Sequence, residues 1–401
     1  MLIVQKYGGT SVGGLDRIEN VAKRVAKAKR EGNDLVVVVS AMSGETNKLI
    51  EYAQHFSKTP PRREMDLLLS SGERISAALL AIALQSMGVD AIALTGRQAG
   101  IKTDNTHTFA RIESIDTTPI KEQLNSGKVV IVTGFQGISE DGEVTTLGRG
   151  GSDLSAVAIA GALKADACEI YSDVDGIYTT DPRIEPKAKR LDYISYDEML
   201  ELSSLGAKVL QSRSVELAKK MGVKIIAKSS FSDGAGTIIA KENETMERVL
   251  VSGIALDKNQ ARVSLREVED RPGIAAEIFE ALANEQINVD MIIQNASKEG
   301  TTNLGFTVPQ SELERAKKAI ESFNSDFGGV DYDESICKVS IVGVGMKSHS
   351  GIAAKAFKAM ANNNINIEMI STSEIKISMV IDEKYGELAV RVLHETYELD
   401  K

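Results

Sequence analysis

The run Leu35-Val36-Val37-Val38-Val39 constrains the fold more than any other stretch. Apolar side chains at odd and even positions alike fit a strand buried on both faces, as in a parallel sheet covered by helices. Leu2-Ile3-Val4, Gly88 to Leu94, Val129 to Val132 and Glu169 to Ser172 are further strand segments. Helical spacing lies between them, as in Ile18, Val21, Ala22 and Val25. Alternating strands and helices predict a mostly parallel α/β sheet, in which ligands bind at the carboxyl ends of the strands.

Those strand ends carry the chemistry. The first runs into Lys6-Tyr7-Gly8-Gly9-Thr10-Ser11-Val12-Gly13-Gly14. Glycines admit a ligand close to the backbone, and a helix starting there would offer N–H groups to an anion. The lysine precedes the glycines, so this is not a P-loop, and a plain tight turn is the competing reading. The second ends at Ser40-Ala41-Met42-Ser43-Gly44, with Thr46 opening a helix. Met65 to Leu84 reads as one helix carrying Ser70-Ser71-Gly72-Glu73-Arg74. A glycine inside a helix costs about 1 kcal/mol against alanine, which points to a close approach there. On pattern alone Glu73 belongs to a solvated face or pairs with Arg74.

Thr133-Gly134-Phe135-Gln136-Gly137 ends a further strand, and Thr145 to Asp153 precedes an Ala-rich helix, Ala156 to Leu163. Ser152 or Asp153 is suited to cap that helix; two glycines beside Arg149 favour anion binding. Asp173, Asp175 and Asp181 resemble a calcium loop only loosely, lacking the EF-hand spacing, and read as a polar turn. Ser195 to Leu202 and a segment from Gly206 to Leu210 read as helical, and Val223 to Ala227 as a strand. The charged stretch Lys241 to Glu247 marks a first domain boundary.

A chain of 401 residues with 42% hydrophobic content holds two or three domains. The net charge of −10, the absence of Trp and 4% aromatic content argue against nucleic acid as a partner. Cys168 and Cys337 are isolated, no CxxC occurs, and the four histidines (His55, His107, His349, His394) lack ligand spacing and read as surface or packing residues. The expectation is therefore no protein metal site and a reducing compartment. No secretory leader and no apolar run of about 18 residues is read, so a cytoplasmic protein with no membrane partner is expected.

Beyond the charged stretch the chain repeats itself. Gly273 to Ile292 and Gly351 to Ile370 agree at 12 of 20 positions at an offset of 78. Each copy reads strand, glycine turn, helix, strand, turn, strand, a ferredoxin-like unit that pairs with another to cover its sheet. A mere dimerisation module and a site for a small zwitterion at the helix-start turns, Asp270 to Gly273 and Ser348 to Gly351, both fit.

Together, KYGGTS, SSGER, LGRGGSD, SDVDGIYTTDPR and the tandem repeat resemble the aspartokinases of the amino acid kinase family, whose C-terminus carries two ACT domains. The resemblance spans essentially the whole chain. It implies a catalytic domain over 1–245, a first ACT domain over 246–334 and a second over 335–401, with 249–256 joining the second ACT sheet. Each ACT domain would be ferredoxin-like, βαββαβ. It also implies transfer of the ATP γ-phosphoryl group to the β-carboxylate of L-aspartate, with Mg²⁺.

By resemblance, Lys6, Gly8, Gly9 and Ser11 hold the phosphates, and Asp153 orients Lys6. Ser172, Asp173, Tyr178, Arg183 and Lys208 line the nucleotide site. Ser40, Thr46, Glu73, Arg149 and Ser152 hold aspartate. Effector candidates are Asp270, Ile274, Ala275, Asn288, Gln294 and Asn295 for threonine. For lysine they are Asp290, Met346, Ser350, Ser371, Thr372, Ser373 and Glu374. Feedback by L-lysine, L-threonine or both, homo-oligomers through ACT pairing and an internally initiated regulatory chain belong to the same picture. A glutamate, carbamate or uridylate kinase, and a non-catalytic amino-acid sensor, remain as alternatives.

Overall fold

The computed structural model describes residues 1–204, 209–242, 250–295, 300–321, 327–347 and 351–401. The helix expected from Gly206, most of the Lys241–Glu247 stretch, Lys208, His349 and Ser350 lie outside them. The chain forms two compact units. The first comprises Met1–Ile177, Arg190–Ser203 and Lys208–Met246; the second comprises Tyr178–Lys189, Ser204–Ala207 and Glu247–Lys401.

The first unit runs β1 (Leu2–Tyr7), α1 (Leu15–Arg30), β2 (Asp34–Val39), α2 (Glu45–Phe56), α3 (Arg62–Leu69), α4 (Ser71–Ser86) and β3 (Ala91–Leu94). It continues with β4 (Ile101–Thr103), β5 (Ile112–Ile115), α5 (Thr118–Asn125), β6 (Val129–Thr133), β7 (Gln136–Ser139), β8 (Val144–Thr146) and α6 (Gly151–Leu163). It closes with β9 (Ala167–Ser172), β10 (Tyr193–Ser195), α7 (Tyr196–Ser204), α8 (Ser212–Met221), β11 (Ile225–Ser229) and β12 (Thr237–Ala240). The main sheet has the order β10-β12-β11-β9-β1-β2-β6-β3 and is parallel except where β11 meets β12. Leu35 to Val39 are fully buried, because α1 and α4 cover one face and α6 packs on the other. A second sheet, β5-β4-β7-β8, escapes the strand patterning because its members are three or four residues long.

The single helix expected over Met65 to Leu84 is two helices, broken at Ser70, whose hydroxyl donates to the Leu67 carbonyl. A serine that bonds its own backbone competes with the helical ladder. Arg62–Ser86 has an 18-residue window apolar enough for a membrane span by length and composition, yet half of it is buried. Asp66 and Glu73 are both inaccessible within it, so it is a core element. The helix expected from Ala156 begins five residues earlier, at Gly151, and the strand expected over Val223 to Ala227 sits two residues later.

The second unit holds β13 (Gly253–Glu269), α9 (Ile274–Asn284), β14 (Ile292–Gln294), β15 (Thr301–Val308) and α10 (Leu313–Glu321). It ends with β16 (Gly329–Val342), α11 (Ile352–Asn362), β17 (Met369–Thr372), β18 (Lys376–Asp382) and α12 (Gly386–Thr396). One sheet, β14-β15-β13-β16-β18-β17, serves both sequence repeats. The long strands β13 and β16 pair along most of their length. Gly253–Asp257 pairs with Lys338–Val342 of the second repeat, whereas Ala261–Glu269 pairs with β15 of the first. Separate cores form around α9 and α10 and around α11 and α12.

Candidate active site

Strand alternation splits the end of β1 between two faces. Gln5 and Tyr7 point toward α1, and Lys6 points toward α6. Lys6 Nζ lies 2.6 Å from Asp153 Oδ1, with the two side chains 11% and 10% exposed. Asp153 is the third residue of α6, set in place by the turn Leu147-Gly148-Arg149-Gly150. Gly150 has φ 75°, and a Cβ there would sit 1.9 Å from Gln211 Cγ, so both conformation and space require glycine. Arg213 on α8 braces the turn, donating to the carbonyls of Leu147 (2.8 Å) and Ala110 (3.3 Å). Arg149 is exposed, while Ser152 is buried against Gly134.

The turn after β1 is tied to its neighbours by backbone bonds. Gly8 N–H donates to the Tyr171 carbonyl at the end of β9, Ser40 N–H to the Tyr7 carbonyl and Ser43 N–H to the Gly9 carbonyl. Ser11 Oγ is 2.5 Å from Ser230 Oγ, and Ser230 N–H reaches the Ser172 carbonyl at 2.8 Å. The carboxyl ends of β9, β1, β2 and β6 thus share one edge. The helix read after the glycine turn begins at Leu15, directly after Gly13-Gly14 and six residues beyond Gly9. Any anion at Gly8 and Gly9 therefore meets the turn's own amides.

Glu73 departs from its pattern-based reading. It is buried, 4% exposed, and Arg74 turns instead to Ser70 Oγ at 3.5 Å. Glu73 Oε1 accepts the Ala41 N–H at 3.1 Å, and Oε2 has no hydrogen-bond partner among the described residues. Burial pushes the carboxyl up to about 7, opposed in part by the Ala41 amide. Gly72 explains the approach: a Cβ there would lie 2.7 Å from Ala41 Cβ, so only glycine lets α4 close on the Ser40–Gly44 turn. Thr46 is half-buried in the first turn of α2.

Sequence reasoning missed two features. Thr133, at the end of β6, buries an Oγ1 that bonds to none of the described residues. Asp66 on α3 is fully buried and takes His107 Nδ1 at 2.7 Å, the Thr108 N–H at 3.1 Å and Thr146 Oγ1 at 2.5 Å. It locks the 104–110 loop onto β8. A carboxylate on an apolar helical face was the only hint.

Ser172 is half-buried at the end of β9 and Asp173 is exposed. Tyr178 and Arg183 belong to the second unit's segment, and Arg183, 90% exposed, pairs with Asp181. In that segment the Thr179 carbonyl accepts the Ile254 N–H, and Thr179 Oγ1 is 2.9 Å from Nε2 of the buried His394.

The effector candidates divide. Asp270 and Asn295 are exposed around the start of α9 and the end of β14, as is Gln294. Ala275 is half-buried, and the Ile274 side chain fills the first core. Asp290 pairs with the buried Lys338 beside Asn288, in a cavity of about 320 Å³. Met346 is half-buried after β16. Ser371 and Thr372 lie on β17, followed by the exposed Ser373 and Glu374, at the sheet edge opposite β14. Met291, next to Asp290, and Met369, at the start of β17, nevertheless share one buried cluster with Ile336 and Val380.

The profile of the amino acid kinase family matches residues 1–229, and that of the ACT domain matches 266–322 and 339–397. The aspartokinase of Helicobacter pylori J99 is 60% identical over 405 residues, covering 100% of both chains. That of Corynebacterium glutamicum is 49% identical, over 99% of this chain and 96% of its own. Escherichia coli aspartokinase III, solved in complex with aspartate and ADP in an R-state, has a TM-score of 0.79 and 26% identity, covering 99% of each chain. The same enzyme with lysine and aspartate, in a T-state, has the same TM-score of 0.79. The chain belongs to the aspartokinase family: it is an amino acid kinase with C-terminal ACT domains, a phosphotransferase acting on aspartate.

Proposed function

We propose that the chain transfers the γ-phosphoryl group of Mg²⁺-bound ATP to the β-carboxylate of L-aspartate, giving 4-phospho-L-aspartate and ADP. The observation that carries this reading is the buried Lys6–Asp153 pair beside the glycine turn, one strand from the turn that holds Glu73. The attacking carboxylate has a free pKa of about 3.9 and is ionised at neutral pH, so no general base is required. A β-carboxylate oxygen bonds to the γ-phosphorus as the bond to the bridging oxygen breaks, and ADP leaves with that electron pair. The barrier is one of like charges meeting. Lys6 places positive charge where the transferring group develops negative charge, and Asp153 fixes its position.

Gly8, Gly9 and Ser11 receive the phosphates, with Ser172, Asp173 and Lys208 on the nucleotide. Glu73 takes the α-ammonium group, since its unpartnered Oε2 needs a cation, and Arg149 takes a carboxylate, with Ser40, Thr46 and Ser152 completing the set. The enzyme opens the route to lysine, threonine, methionine and diaminopimelate in the cytoplasm; two buried, unpaired cysteines accord with a reducing compartment.

Lysine and threonine act as feedback effectors at the ACT domains. Homo-oligomers form through ACT pairing, with a second copy of the chain or an internally initiated regulatory chain as the partner. The test is ATP- and Mg²⁺-dependent acyl phosphate formation from L-aspartate, trapped with hydroxylamine, with L-glutamate as control. Each assay is repeated with Lys, Thr and both. Activity on aspartate that falls most with both effectors is expected. Activity insensitive to either removes the effector assignment, and absence of activity in the folded protein removes the catalytic one.

A further inference from the structure

Behind the phosphate turn, on the α1 face of the sheet, lies a polar network that catalysis as described does not use. Glu169 on β9 is buried, 8% exposed. Its Oε2 accepts Gln5 Nε2 at 2.9 Å and the Tyr171 hydroxyl at 3.0 Å, and its Oε1 pairs with Lys228 Nζ at 2.7 Å. Tyr7 OH donates to Gln5 Oε1 at 3.3 Å, and the Tyr7 and Tyr171 rings stack at 4.7 Å. Arg24 of α1 and Lys228 both lie over the Tyr171 ring. The register accounts for the set: Gln5 faces Glu169, Tyr7 faces Tyr171, and Tyr171 faces Lys228 across three parallel strands.

Burying an ion pair of this kind contributes little to stability compared with apolar side chains of the same volume. What it does supply is alignment. Its members come two from β1 (Gln5 and Tyr7), two from β9 (Glu169 and Tyr171) and one from β11 (Lys228). The ends of those strands carry Lys6 and Gly8, then Ser172, then Ser229 and Ser230. Immediately beyond the network, the Tyr171 carbonyl holds the Gly8 N–H, and Ser230 holds both Ser11 and Ser172. Lys6 lies between Gln5 and Tyr7, so a shift of β1 against β9 displaces its ammonium from the reacting phosphoryl group.

We infer that Glu169, with Gln5 and Lys228, is a positioning residue for phosphoryl transfer: it sets the height of the three strand ends and thereby the placement of Lys6 and the phosphate turn. The inference rests on the reading of Lys6 as the phosphoryl-stabilising residue.

The test compares Glu169→Gln, Lys228→Met and Tyr171→Phe with Lys6→Ala in the full chain, measuring kcat, KM for ATP, KM for aspartate and melting temperature. Glu169→Gln is expected to lower kcat and raise KM for ATP, each by about tenfold, the size of a sub-ångström misplacement or one lost buried bond. KM for aspartate should stay within about twofold. The pair Glu169→Gln with Lys228→Met should be no worse than the poorer single variant, because both break one linkage. Should Glu169→Gln fail to fold, Tyr171→Phe removes only a hydroxyl and is expected to shift the same two parameters less. A lower melting temperature with unchanged kcat and KM for ATP, while Lys6→Ala is inactive, overturns the positioning role alone. Normal turnover by Lys6→Ala overturns the underlying reading as well.

Discussion

Lys6 Nζ and Asp153 Oδ1 meet at 2.6 Å across the boundary between the sheet and its central helix, both nearly closed to solvent. An ammonium so placed keeps its direction because a carboxylate accompanies it and because α6, which carries that carboxylate, is buried from Gly151 to Ala160. Replacing Lys6 with alanine should lower kcat by about 10³ with little change in either KM, since the interaction strengthens in the transition state. Steady-state kinetics of Lys6→Ala decide this; a near-normal kcat removes Lys6 from the chemistry.

Glu73 predicts a pH dependence. Its carboxyl is raised from an ordinary 4.5 to about 7 in the folded protein. The folded state therefore binds the proton more tightly than the unfolded one between those values. Stability without substrate should fall as pH rises from about 4.5 to 7, by about 3 kcal/mol, and stay level above. The ammonium of aspartate favours the ionised carboxyl, so KM for aspartate should fall as pH rises toward 7 and then flatten. Glu73→Gln is expected to abolish both trends. Thermal melts and KM profiles from pH 5 to 8 check this.

Gly72→Ala removes a poor helix former and should on that ground stabilise α4, but its Cβ would stand 2.7 Å from Ala41 Cβ. The clash should win, at a cost of about 1–3 kcal/mol. It should also raise KM for aspartate by displacing the Ser40–Gly44 turn. Denaturant midpoints with substrate titrations test this; a stabilised variant with unchanged KM contradicts it.

Asp66→Ala should cost about 3 kcal/mol, since it strands the buried Thr146 hydroxyl together with the half-buried Thr108 N–H and His107 ring. The expected signature is a lower melting temperature in the first unit, read by hydrogen exchange, and easier proteolysis of the 104–110 loop.

Thr372→Ile on the edge strand β17 is expected to weaken inhibition by lysine and threonine while leaving uninhibited activity intact. Inhibition curves for the two effectors, alone and together, provide the measurement. Unchanged curves place the effectors elsewhere.

Much was legible from residues alone because the signals are local. A run of valines reports burial on both faces, and a glycine turn after a strand reports a possible approach of ligand. A repeat at an offset of 78 reports two like units. Gly72 was legible too, since a glycine that weakens a helix asks for a neighbour, here Ala41. The break at Ser70 and the short strands β4, β5, β7 and β8 were not, because periodicity needs more residues than they contain.

Composition and spacing settled the α/β class and the doubled C-terminal unit, and pointed to the strand ends; these depend on side-chain chemistry read along the chain. Only the tertiary structure decided that Glu73 is buried with an oxygen unpartnered among the described residues, and that Gln5, Glu169 and Lys228 form one network. It alone also showed that both repeats share one sheet through β13 and β16. Each of these depends on which distant residues exclude water from, or bond to, a given side chain. That is set by strand order and register across the fold, and no stretch of sequence contains it.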